Sequence, residues 1–224
     1  MKKIVLVVAA HPDDELLGAG GTLAKHAADG DEVYGLILGE GVMARSGANR
    51  NGISYLQKQA QTAAKIIGLK KIQFADFPDN AFDSVPLLKI VQKVEAVIAA
   101  VCPDIVFTHY EHDLNIDHRL PFQAVLTACR PMNPHCPREL YTFETLSSIE
   151  WQSKGHQLFA PDTYVDIAPT LEIKLKALQA YASELRPYPH SRSLEGVKIL
   201  AEWRGLESHL AAAEAFRTIR RIVV

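Results

Sequence analysis

The chain has 224 residues, 48% of them hydrophobic, and 24 Lys and Arg against 26 Asp and Glu leave a formal net charge of -2. That length buries a substantial core and favours a single domain over 1–224. Dispersed charge of both signs, with no basic block or aromatic and basic stripe, argues against a nucleic-acid partner, and no apolar run is long enough to span a bilayer.

Residues 3–9 read as the first strand. Met1-Lys2-Lys3 and the apolar run Ile4 to Ala10 imitate a secretory leader ending in the small pair Ala9-Ala10. The run is short, however, and rich in Val and Ile like a buried parallel strand, and it leads directly into charge. A helix over 14–29 follows, then a strand at 32–38, a helix at 54–68, a strand at 71–75, a helix at 86–101, a strand at 104–108 and a helix at 119–130. Leu16, Leu17, Leu23, Ala24 and Ala27 in the first helix, and Leu87, Ile90, Val91, Val94, Val97 and Ile98 in the third, form stripes that fit against a sheet. This alternation predicts an α/β fold, a mostly parallel Rossmann-like sheet with helices on both faces and a crevice at the strands' carboxyl ends. Farther on, strands are expected at 139–144 and 162–167, helices at 169–184 and 194–213, and a β-rich run at 216–223. The Pro-rich segments 131–137 and 186–191 read as loops. Cys102, Cys129 and Cys136 are odd in number and form no C-x-x-C pair, so a reducing, cytoplasmic setting fits and no disulfide framework or thiolate zinc site is indicated.

The chemistry concentrates at His11-Pro12-Asp13-Asp14-Glu15, where the first strand surfaces. Three carboxylates at one turn repel one another unless a cation sits among them, helped by the positive end of the following helix. His11 and Asp14, three apart across a strand-to-helix turn, can reach one point, and catalytic zinc commonly takes three N and O ligands. The third is expected in the segment 108–119, which emerges after another strand: His118 is the choice, with Asp117 or a backbone carbonyl fixing its ring from behind. A capped helix start explains one or two acidic residues but not three beside a histidine. Gly18-Ala19-Gly20-Gly21 does not suit a phosphate loop, because the turn before it is acidic, and it fits close helix packing instead.

Ala10 to Glu15, together with Asp117-His118-Arg119 about a hundred residues later, resembles the family of PIG-L/LmbE-like N-acetylglucosaminyl deacetylases. Phe77-Pro78-Asp79-Asn80 and Ala213-Glu214-Ala215-Phe216 look like weaker landmarks of that family. The resemblance implies Zn2+ held by His11, Asp14 and His118, with Asp13 as general base, in a Rossmann-like fold without a dinucleotide. It also implies a small N-acetylated sugar as substrate, in surface glycan or small-thiol synthesis, and frequent homo-oligomers among relatives. Where family members often have H-x-x-H, this chain has Asn115 three before His118; Asn115, His109 or His112 is then left to stabilise the oxyanion. Asp79, His109, Arg186 and Arg192 are the expected substrate contacts, while Glu214 and Phe216 are expected to order the C-terminal run. Competing expectations are a metal-dependent carbohydrate-binding protein without turnover and a nucleotide-dependent enzyme on the same sheet.

Overall fold

A computed structural model describes residues 2–43, 50–132, 135–155 and 157–223. In chain order the strands are β1 (Ile4–Ala9), β2 (Glu32–Gly39), β3 (Lys71–Phe77), β4 (Ile105–His109), β5 (Glu139–Phe143), β6 (Thr163–Asp166) and β7 (Ala213–Arg221). The helices are α1 (Asp14–Ala28), α2 (Arg50–Ile67), α3 (Leu87–Val101), α4 (Ile116–Ala128), α5 (Leu171–Ala180) and α6 (Leu194–Ser208), with 3-10 turns at Phe82–Ser84 and Ile149–Trp151. Among the described residues, seven strands form one sheet in the order β3-β2-β1-β4-β5-β7-β6. β1 to β5 pair in parallel, and β7 runs antiparallel between β5 and β6.

Strand side chains alternate between two cores, as the period-2 pleat requires. Val5, Val7, Val33 and Phe107 pack with α1, α2, α5 and α6 on one face, and Leu6, Val8, Leu36 and Val106 with α3 and α4 on the other. The expected Rossmann-like architecture is therefore the observed one. The run that imitates a leader is, as expected, a central strand with Val5 to Ala9 fully buried. Because β1 is followed outward by β2 and β3 on one side and β4 and β5 on the other, the topological switch lies between β1 and β4, and ligands bind such sheets in the crevice beyond that point.

Several boundaries differ from expectation for local reasons. α4 begins at Ile116 because the Asn115 side chain accepts the Asp117 amide at 2.9 Å, an N-cap. α5 stops at Ala180, short of the expected 184, and α6 stops at Ser208, where His209 takes φ 58° and the Leu210 amide donates to the Gly205 carbonyl. Ala213 then pairs with Asp166 in β6, so sheet pairing overrides the helix preference of the alanine run. The glycines of α1 serve packing, as expected: a Cβ on Gly18 would lie 2.1 Å from Phe143, and one on Gly21 would lie 2.9 Å from Ile167. Glu214 reaches from β7 into the middle of α1, accepting the Gly21 and Thr22 amides at 2.8 and 2.7 Å. Lys174 joins Glu214 at 2.6 Å and also donates to the Leu17 carbonyl, the acceptor Gly21 would use in an uninterrupted helix. Among the described residues, no helix is long and apolar enough to cross a membrane.

Candidate active site

The end of β1 and the end of β4 are tied together where the crevice opens: the Ala10 amide donates to His109 Nε2 at 2.9 Å. Beyond it lies a cavity of about 490 Å³ lined by His11, Pro12, Asp13, Asp14, Gly41, Asp79, Asn80, Leu114, Asn115, His118, Thr145, Ser147, Ser148, Glu184 and Arg192.

Its floor is the strand-to-helix turn. Asp13 sits at the N-cap of α1 with φ 108°, a left-handed conformation costly for a residue with a side chain, and its carboxylate makes no cap bond. The bland alternative, a carboxylate spent on capping, is thus not what the turn does with Asp13. Asp14 instead accepts the His11 amide at 2.9 Å. Asp14 Oδ2 stands 3.4 Å from His11 Nδ1 and 3.3 Å from His118 Nε2, so the three expected ligands converge, with donor atoms all within 4.8 Å of one another.

The outer ring nitrogens decide which lone pairs face inward. His11 Nε2 donates to Asp117 Oδ2 at 3.1 Å, while Asp117 Oδ1 accepts the Phe82 amide. His118 Nδ1 has Asp113 Oδ1 at 3.2 Å, close enough for an ion-pair contact though outside hydrogen-bond angles. A proton on each outer nitrogen leaves His11 Nδ1 and His118 Nε2 as acceptors turned toward Asp14. Two imidazole nitrogens and one carboxylate, each backed by a buried acid, suit a divalent cation of zinc type. This corrects the expected pairing: Asp117 orients His11, and Asp113 is the acid behind His118. A second triad of acidic and imidazole atoms, His11, Asp79 and Asp117, lies on the far side of the His11 ring.

Electrostatics follow from burial and crowding. Burial alone would raise Asp14, but His118 and His11 hold it well below the usual carboxylate range. Burial and the adjacent Asp14 push Asp13 well above that range, against Arg192, whose Nη1 lies 3.1 Å from Asp13 Oδ2. Against a desolvation that lowers both, carboxylates raise His11 to about 10 and His118 to about 9, so the protons these acids favour on His11 Nδ1 and His118 Nε2 are ones a cation would have to displace. Burial lifts Glu15 to about 7; it takes the Tyr181 hydroxyl at 2.5 Å and the Asp13 amide at 3.1 Å.

The other expected contacts divide. Asp79, Asn115 and Arg192 line the cavity. His109 does not: it is fully buried, accepts the Ala10 amide on Nε2, meets Thr145 Oγ1 at 3.1 Å with Nδ1 and stacks on His118 at 4.1 Å. Desolvation, with His118 beside it, drops His109 to about 3, so it is a neutral prop behind the site. Arg186 is turned away, its Nη1 donating to the Ser183 and Leu185 carbonyls. His112 packs edge-on against Tyr110, outside the lining. Sequence reading missed Asp113, Ser148 and Glu184. The Asp113-Leu114-Asn115 turn ahead of a helix was the available signal for the first.

The model of the family described as PIG-L, GlcNAc-PI de-N-acetylase, matches residues 6–129. The chain is 30% identical over 195 residues to a Bacillus cereus protein named as a probable N-acetyl-alpha-D-glucosaminyl L-malate deacetylase, covering 82% of this chain and 84% of that one. It is 28% identical over 203 residues to the diacetylchitobiose deacetylase of Thermococcus kodakarensis, covering 81% and 70%. The crystal structure of the 4-carboxy-2-hydroxymuconate hydratase of Pseudomonas putida superposes with a TM-score of 0.79, at 24% identity over 100% of this chain and 98% of that one, a likeness of fold alone. The extent of the family match and the identity to the Bacillus protein together place this chain in the PIG-L de-N-acetylase family.

Proposed function

We propose that the chain is a zinc-dependent N-deacetylase that hydrolyses the acetamido group of an aminosugar or sugar conjugate, with 1–224 acting as one domain. The observation that carries this is the convergence of His11, Asp14 and His118 on one point of a cavity that also displays Asp13, a buried carboxylate not used for capping. His11 Nδ1, Asp14 Oδ2 and His118 Nε2 would hold the cation. Bound there, it supplies Lewis acidity and makes water nucleophilic near neutrality.

The remaining steps belong to the chain's own residues. Asp13, with Oδ2 anchored by Arg192, takes a proton from the attacking water. Burial beside Asp14 favours its protonated form, so it holds that proton and returns it to the departing amine nitrogen. Asn115 uses its Oδ1 to cap α4, which leaves its NH2 as the donor for the oxyanion formed at the acetyl carbon. Asp79 accepts from sugar hydroxyls, and Arg192 fixes the base. The amine so unmasked is what surface glycan or small-thiol assembly would consume.

The test is acetate release from a panel of N-acetylated aminosugars, with metal content measured on the same sample. About one zinc per chain and acetate from at least one sugar is the expected result. Metal-loaded protein that releases none across the panel refutes the reading, and sugar binding without turnover would identify a binding protein instead.

A further inference from the structure

Among the described residues, Trp151, Tyr188 and Leu114 are large apolar side chains left exposed, at 58%, 58% and 52%, on segments that contribute to the cavity wall. Leu114 lines the cavity itself. Trp151 closes the 3-10 turn that follows Ser147 and Ser148 on the cavity wall, and its ring meets His190 edge to face at 5.7 Å. His190 and Tyr188 belong to the loop that carries Arg192 into the cavity, and His190 Nδ1 accepts the Arg192 amide at 3.1 Å. The Trp151 indole is thus braced between two segments that each wall the cavity, yet more than half of it faces water. A fixed, exposed indole offers contact area at little conformational cost.

Among the described residues, Arg186, Arg192 and Lys154 on these segments are already committed. Arg192 pairs with Asp13 and Glu184, Arg186 is bound to two carbonyls, and Lys154 donates to the Glu150 carbonyl at 2.6 Å. Such a rim suits a neutral ring with apolar faces and polar edges better than a phosphate or carboxylate.

We propose that Trp151, with Leu114 on the cavity wall and Tyr188 on the loop that carries Arg192, forms a subsite for a second, neutral pyranose joined to the reacting acetamidosugar, so that the chain selects a disaccharide or longer sugar over the monosaccharide. This rests on the deacetylase reading of the cavity. Pyranose C–H faces stack on the indole while the hydroxyls at the ring edge stay in water or reach the polar wall.

The experiment compares N,N'-diacetylchitobiose with N-acetylglucosamine on zinc-loaded protein. Wild type should show the higher kcat/KM for the disaccharide. Trp151→Ala should raise its KM about tenfold, ~1.4 kcal/mol, with kcat and the monosaccharide constants unchanged, and Trp151→Phe should recover most of the loss. Equal effects on the two sugars, or none, overturn the subsite. If wild type releases acetate from neither sugar, the subsite is decided by fluorescence of Trp203→Phe, in which Trp151 is the remaining indole of the two in the chain, while the deacetylase reading itself fails when the whole panel yields none. A saturable response to the disaccharide but not the monosaccharide supports the subsite, and no response overturns it.

Discussion

Asp117→Asn tests whether the acid behind His11 sets the metal site. Asp117 is fully buried, and its oxygens divide between the His11 ring at 3.1 Å and the Phe82 amide at 3.0 Å. Asparagine preserves the shape but has one acceptor oxygen. If that oxygen stays with Phe82, an NH2 group confronts the Nε2 proton of His11. The imidazole then moves its proton to Nδ1, 3.4 Å from Asp14 Oδ2, and the lone pair meant for the cation is lost. If the amide turns over, the buried Phe82 N–H loses its acceptor instead, at ~1–3 kcal/mol. Replacement of such an outer partner typically lowers metal affinity about 10–100-fold, or ~1.4–2.7 kcal/mol. Competition between the protein and a calibrated zinc chelator reads this directly. Asp79 Oδ1, 3.5 Å from the same ring nitrogen, is a weaker substitute acceptor, so adding Asp79→Asn should deepen the loss. A single variant that binds zinc as tightly as wild type, with unchanged thermal stability, would refute the tautomer argument.

Asp13→Asn should keep its zinc and lose about 10²–10⁴ in kcat; retention of most activity would remove Asp13 as the base. Gly18→Ala places a methyl group 2.1 Å from Phe143, a fully buried ring, and should cost ~1–3 kcal/mol, read as a Tm lowered by ~2–12 °C. His109, held at about 3 in the fold against an ordinary 6.5, binds fewer protons folded than unfolded across that window. Its contribution therefore makes stability fall as pH drops from 6.5 toward 3, by up to ~1.4 kcal/mol per pH unit. Denaturant unfolding of zinc-free wild type and His109→Asn at several pH values should show the shallower slope in the variant, and equal slopes would contradict the neutral buried imidazole.

The β1 to β5 core was legible because each strand is a short apolar run and each helix between carries a stripe of period 3.6. The end of the chain was less so. Ala211 to Ala213 read as helix by composition, and only pairing between β6 and β7 makes Ala213 a strand residue. The triad proposed to hold the cation was legible because His11 and Asp14 are near in sequence and His118 follows a strand that must neighbour β1. Glu184 and Arg192 approach Asp13 through loops whose paths no periodicity encodes. Arg186, six residues earlier and equally basic, shows the difficulty: the same composition points one guanidinium at Asp13 and the other at backbone carbonyls.

The exchange of partners between Asp113 and Asp117 has a geometric cause that sequence spacing already contains. Successive residues of a helix project about 100° apart, so Asp117 and His118 on α4 cannot aim at each other; residue 117 is carried toward β1, where His11 waits, while 118 turns to Asp14. The acid behind His118 must then come from outside the helix. Asp113 occupies that place, braced by the Ser148 hydroxyl and by the Asn115 amide at 2.9 Å. Asn115 between them caps α4 and so sets the rotation at which His118 meets Asp14 and Asp117 meets His11. A D-x-N-x-D-H string read this way encodes one proposed ligand, two orienting acids and the cap that aligns them. A histidine at 115 would cap less well, so the asparagine is consistent with a site whose alignment depends on that helix start.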